Sequence, residues 1–382
     1  MAERWRVLSL LFCVRTAMAF QFASIGALGP LVADTFQIDA ASVGFLIGLY
    51  LSPGLVFALP GGAIGRFFGD KRAVLAGLAL MFSGGLISTL GNSWDAQIVG
   101  RAVAGVGGVI LNVLMSKMVT DWFEGQEIAT AMAVFVNSWP AGIALALLGQ
   151  PFAAASGGIE FAFALTSILS LAGFGALLFL YHQPAETTAG QGTWPIGQEL
   201  ICIVVAGTIW GLFNGAFAMV FGFGPILLTE RGWELSAASS ATSLAVWISA
   251  LSVPAGGILA DRTGRPNTVM VIGLALSALA LMMLPRLDQP IAVLVVIGLV
   301  IGIPVGAIMS LPSRVLKPQS RAMGMGIFFT FFYIFVVAAP LVAGELIDRL
   351  NWEGAAVDLG AAMFATAIIM LIAFERVAKS MR

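Results

Sequence analysis

Apolar residues run along this chain in stretches of about 20, the length a helix needs to cross a bilayer, and short polar connections separate them. Twelve such spans are predicted, at 7–32, 41–64, 73–91, 96–118, 128–152, 160–181, 197–226, 238–260, 268–285, 290–312, 321–345 and 356–375. The longest polar interruption runs from Gln183 to Trp194. It holds Pro184, Thr187, Thr188, Gly190 and Gly192, and reads as a flexible linker. The expected organisation is a six-helix half over 1–182, a cytoplasmic linker over 183–195 and a second six-helix half over 196–382.

The halves repeat one another. With an offset of 195 residues, Gly61-Gly62 meets Gly256-Gly257, Gly69 meets Gly264, and Gly29-Pro30 meets Gly224-Pro225. After a slip of one residue, Gly77-Leu78-Ala79-Leu80 answers Gly273-Leu274-Ala275-Leu276. The fold class is therefore an all-α integral membrane protein of twelve transmembrane helices in two pseudo-symmetric halves. Internal symmetry of this kind points to transport.

Composition agrees: 59% of residues are apolar and 10% charged, with a mean hydropathy of +0.98, whereas soluble domains are about 25% charged. The net charge of −1 is not pooled into a basic patch, so no nucleic-acid partner is expected. Cys13 and Cys202 fall in separate apolar stretches and imply neither a disulfide nor a metal site. The first stretch lacks a small-residue cleavage site and reads as a retained helix.

Lys and Arg favour cytoplasmic loops. Fourteen of the nineteen lie at Arg4 and Arg6, Arg66, Lys71 and Arg72, Lys117, Arg262 and Arg265, Arg314, Lys317 and Arg321, and Arg376, Lys379 and Arg382. The opposite side holds three, Arg231, Arg286 and Arg349, so both termini are expected to be cytoplasmic. In one inward loop Asp121, Glu124 and Glu127 outnumber Lys117, but acids carry little weight in this rule.

The second-half loop reads Gly-x-x-x-Asp-Arg-x-Gly-Arg from Gly257 to Arg265, after the eighth span. With the twelve spans, this resembles the major facilitator superfamily of secondary transporters along the whole chain. Arg101, followed by Gly105, Gly107 and Gly108, resembles a second family feature, with Ala104 in place of a frequent glutamine. Pro140-Ala141-Gly142 resembles part of an antiporter signature, too little of it to assign antiport. The stretch from Val136 to Leu145, together with Arg15, resembles bacterial cyanate permeases and nitrate/nitrite porters. That narrower resemblance implies the bacterial inner membrane, although the glycine-rich helix pair of nitrate carriers is missing.

In the family, the loop Asp engages a helix amino terminus and an Arg across the cytoplasmic seam, holding the outward-facing state. The resemblance implies a conformational gate at Arg66, Gly69 and Asp70 in the first half and at Asp261, Arg262, Gly264 and Arg265 in the second. The first copy departs from the pattern, with Arg66 where the family has Asp and Asp70 where it has a base. A carboxylate suits the positive end of a helix and an arginine does not. The clasp is thus expected to rest on Asp261 and Arg262, or on Arg66 against acids such as Glu124. The alternative is that Arg66 and Asp70, four apart, simply satisfy one another.

Charges inside spans are costly and mark function. Arg15 and Arg101 are the two, and no Asp or Glu lies near the middle of a span. Unpaired cations point to an anionic substrate held by bidentate bonds. Against this, Arg15 is near enough to the boundary to snorkel, and Arg101 has an equal structural reading, bonding helix carbonyls. Asn137 and Trp139 flank a proline kink, which frees carbonyls beside polar donors. Asn112, Asn214, Gln21, Tyr50 and Tyr333 could face the same space or act as glue between helices. The expected substrate-binding set is Arg15, Tyr50, Arg101, Asn112, Asn137, Trp139, Asn214 and Tyr333. Phe328, Phe329, Phe331, Phe332 and Tyr333 are expected to be lipid-facing and core bulk rather than a cage, and His182 to be solvated.

The function expected is secondary active transport of a small organic or inorganic anion such as cyanate, nitrate or a carboxylate. An exporter of amphipathic drugs is the alternative within the class, and a membrane sensor without transport the alternative outside it. One histidine and two separated cysteines do not build an enzyme site. Neither a cofactor nor a metal is implied, and the chain is expected to act as a monomer in the bilayer.

Overall fold

A computed structural model describes residues 2–58, 68–123, 128–182, 193–317 and 319–380. Arg66, Glu124, Glu127 and the 183–192 part of the linker lie outside them.

Span 1 is Ala2–Ala27, continued after Leu28 as Gly29–Phe36, where Pro30 suits the first turn of the new helix. Asp39 starts span 2 by accepting the Ser42 N–H at 2.9 Å, the expected task of a helix N-cap. Span 2 runs over Ala40–Leu49, breaks before Pro53 and resumes as Gly54–Phe57. Span 3 is Asp70–Leu90 and span 4 is Trp94–Trp122, the latter capped by the Ser93 hydroxyl.

Among the described residues, eleven helices are long and apolar enough to cross a membrane, and one of them is two spans. Ser138–Leu180 leaves helical geometry at Gly157 and Gly158. Gly158 adopts φ 77°, a conformation costly for any residue with a Cβ. Span 5 is thus Ile128–Val136 plus the helix up to that break, and span 6 is the remainder to Leu180.

In the second half, span 7 is Gln198–Glu230 and span 8 is Leu235–Thr263. Gly264 ends span 8 at φ 62°, and Pro266 opens span 9, Pro266–Met283. Span 10 is Pro290–Ile301, interrupted before Pro304 and resumed as Val305–Met309. Spans 11 and 12 are Arg321–Leu350 and Ala355–Lys379. This is the expected architecture, twelve spans in two halves.

The halves meet along spans 1 and 7, 2 and 11, and 5 and 8. The meeting is close because small residues line it. A Cβ on Gly26 would come within 2.9 Å of the Gly222 Cα, and one on Gly44 would strike the Pro340 carbonyl. Three hydrogen bonds across the seam reinforce the side away from the chain termini. The Asp348 carboxylate, near the end of span 11, accepts from the Ala40 and Ala41 N–H groups at 3.1 and 2.7 Å, and the Ser239 hydroxyl donates to the Ala27 carbonyl at 3.0 Å. Phe22 meets Phe221 edge-on at 5.9 Å nearby. The molecule is sealed on that far side. Towards the side of the termini the halves diverge around a cavity. Leu251 and Phe179, 74% and 77% exposed, belong to the outer belt that faces lipid.

Candidate functional site

The cavity has a volume of about 450 Å³ and lies between the halves. Its first-half wall is polar, built from Arg15, Asn137, Trp139 and a face of span 4 carrying Asn112, Ser116, Lys117 and Thr120. Asn112, Ser116 and Thr120 follow at intervals of four, which places them on one helix face. The second-half wall is apolar and aromatic: Trp210, Phe213, Phe217, Phe329 and Phe332, with Asn214, Ser249 and Tyr333 as polar points. No carboxylate is among the described residues lining it.

Arg15 is held by the break in span 5. The helix is interrupted at Asn137, and Pro140 has no N–H to return to the Val136 carbonyl. The arginine fills that gap. Its Nη1 donates to the carbonyls of Phe135 and Val136 at 3.1 and 3.2 Å and to the Ser138 hydroxyl at 3.2 Å. Its Nε donates to Asn112 Oδ1 at 3.1 Å. The guanidinium lies 4.7 Å from the Phe135 ring centre and 5.7 Å from that of Trp139, which stacks on Phe22. Nη2 has no hydrogen-bond partner among the described residues, which leaves one arm of the fork for a ligand. Asn112 Nδ2 then donates to the Tyr333 hydroxyl at 3.4 Å, carrying the network across the seam.

Six of the eight residues expected from sequence therefore share this cavity: Arg15, Asn112, Asn137, Trp139, Asn214 and Tyr333. The other two do not line it. Arg101 is 4% exposed and donates from Nε to the Leu46 carbonyl at 3.2 Å, from Nη1 to that of Gln21 at 2.8 Å and from Nη2 to that of Phe22 at 2.9 Å. It ties span 4 to spans 1 and 2. Tyr50 is fully buried beneath it, 4.7 Å from ring centre to guanidinium, with its hydroxyl on Gln21 Oε1 at 3.2 Å.

Two features of the wall lie outside the sequence reading. Phe329 and Phe332 line the cavity beside the expected Tyr333, a correction to their assignment as lipid-facing and core bulk, and Trp210 stacks on Phe213 at 5.5 Å beside them. The helical register of span 11, invisible in a run of aromatics, decides which of them turn inward. Lys117, assigned to a loop by its charge, lies within span 4 at the cavity mouth. Its Nζ pairs with Asp70 Oδ2 at 2.6 Å and with Asp121 Oδ2 at 2.8 Å.

Of the expected gate residues, Asp70 is thus engaged within its own half, and Gly69 precedes it at φ 81°. Asp261, Arg262, Gly264 and Arg265 are exposed, and none of the three charged ones pairs with a described residue.

Known proteins share this organisation. The human lysosomal dipeptide transporter MFSD1 is 24% identical over 380 residues, covering 92% of this chain and 82% of that protein. The human choline/ethanolamine transporter FLVCR2 is 24% identical over 39% of this chain and 29% of its own length. Among solved structures, a bacterial homologue of the human lysosomal transporter Spinster, inward-facing and unoccupied, superposes with a TM-score of 0.73 at 14% identity, covering 98% of this chain and 96% of that one. An auto-inhibited peptide transporter of the POT family gives 0.73 at 15% identity, covering 98% and 97%. At such identities these two structures speak for the fold alone. The family profile matches residues 10–223 and 200–382, and the chain therefore belongs to the Major Facilitator Superfamily of membrane transporters.

Proposed function

We propose that this protein moves an organic anion across the membrane by alternating access, with the substrate carboxylate on Arg15 and its apolar body against Trp210, Phe213 and Phe332. The observation that carries the proposal is the free Nη2 arm of Arg15 in a cavity whose described wall has no carboxylate of its own. Desolvated there, the guanidinium has no counter-charge among the described residues, and a carboxylate supplies it by accepting a charge-assisted bond from Nη2. The volume of about 450 Å³ falls in the range of about 300–1,000 Å³ usual for small-molecule sites, and cyanate or nitrate would fill little of it. A carboxylate with an apolar body fits both walls. The relative that aligns over most of its length carries dipeptides, which present a terminal carboxylate. The distribution of Lys and Arg supports cytoplasmic termini, and on that reading this is the inward-facing state; a bacterial inner membrane and a monomeric carrier are part of the proposal.

The test is a thermal-shift screen of the detergent-purified protein against cyanate, nitrate, nitrite, mono- and dicarboxylates including benzoate, dipeptides and lipophilic cations. A ligand that binds only the folded state raises the melting temperature by mass action. A rise with carboxylates that Arg15→Ala abolishes supports the proposal. The aromatic wall favours a second reading, an exporter of amphipathic compounds, and a response confined to lipophilic cations would replace the first with it.

A further inference from the structure

The charged cluster at the cavity mouth goes beyond this reading and rests on it only for the anion. Lys117 lies five residues after Asn112, about 7.5 Å further along span 4, so an anion leaving Arg15 towards the termini passes it next. Two carboxylates share its ammonium, and they are not equivalent. Asp121 is one turn along the same helix with its side chain 20% exposed. The Asp70 side chain, on span 3, is 10% exposed, and its Oδ1 is buried with no hydrogen-bond partner among the described residues.

We propose that Asp70 is the proton site of an anion–proton symport, filled when the anion takes Lys117 from it. With both acids ionised the cluster carries a net charge of −1. An anion that accepts the Lys117 N–H donors leaves Asp70 without its counter-ion, in a place where an unpaired carboxylate is strongly disfavoured. Asp70 then takes a proton from water on the side of the termini. The ammonium keeps its three protons and only changes partner, and the added proton offsets the charge of the anion. Among the described groups facing Asp70 there is no other cation to replace Lys117. Tyr181 lies at the end of span 6, and Asp121 is on span 4. On its own helix Lys71 is turned to the carbonyls of Leu178 and Tyr181 at 2.9 and 2.7 Å, and Arg72 is exposed. Arg66 lies outside the described residues.

Two measurements test this, the first without any ligand. In infrared difference spectra, Lys117→Gln should show a protonated-carboxylic C=O stretch at neutral pH that disappears when Asp70→Asn is added. Absence of that band, or its loss with Asp121→Asn instead, overturns the proposal. In the second, benzoate is added to the purified protein in weakly buffered solution with a pH dye. Wild type and Asp121→Asn should take up a proton for each benzoate bound, while Asp70→Asn binds benzoate with none. Equal uptake by Asp70→Asn overturns it. Failure of wild type to bind benzoate counts against the anion reading instead, and the infrared result still decides for or against the proton site.

Discussion

Arg15 and Arg101 carry the same charge and use their donors differently. Arg101 gives all three nitrogens to carbonyls of spans 1 and 2, so its loss should be felt as instability. Arg101→Met removes these charge-assisted bonds between spans and should cost about 3 kcal/mol, seen as a lower melting temperature with benzoate affinity little changed. Arg15→Ala removes a charge-assisted contact to the ligand and should weaken benzoate about 100-fold by calorimetry, while Arg15→Lys, a single point charge, should recover about tenfold of that. The shared cavity was legible in sequence wherever a polar residue sat at mid-span, because water-lined paths require polar side chains. What sequence withholds is the direction each side chain faces. That direction places Tyr50 and Arg101 inside the first bundle, and it brings Phe329, Phe332 and Lys117 to the cavity.

At the scale of helices, the start of span 2 is capped twice, by its own Asp39 and, across the seam, by Asp348. The Asp39 carboxyl is held below its ordinary value, first by the Ser42 hydroxyl and then by the Ser42 N–H. A depressed carboxyl contributes its stability above the usual value of about 3.9 and loses it as pH falls through the folded value. The melting temperature of wild type should therefore drop more steeply in that acid range than that of Asp39→Asn, which keeps a good N-cap without the titration. Asp348→Ala removes the bond between halves. Spin labels at exposed Thr35 and Leu350, in a cysteine-free background, should show the far side open about tenfold more often, a shift of about 1.4 kcal/mol. Unchanged distances would reduce Asp348 to a local cap. The spans themselves were legible because hydrophobic length is a strong signal. The breaks at Asn137 and before Pro53 and Pro304 were only partly so, since a proline shows where a helix can kink and not how its freed carbonyls are satisfied.

For the whole molecule, the seal of the far side depends on backbones that touch. Gly44→Ala sets a methyl against the Pro340 carbonyl and should hold spans 2 and 11 apart, favouring the opposite state in the same spin-label measurement. A second prediction concerns the halves themselves. The cavity draws its charge from spans 1 and 4 and most of its aromatic bulk from spans 7 and 11. Cargo gripped by its head would ride with one half through the rocking cycle, while the other slides past its body. Choice of charge and choice of size would then be inherited separately. A chimaera keeping this first half but taking the second from a relative should still select carboxylates while accepting side chains of different girth, so new cargo could evolve through one half without disturbing the other.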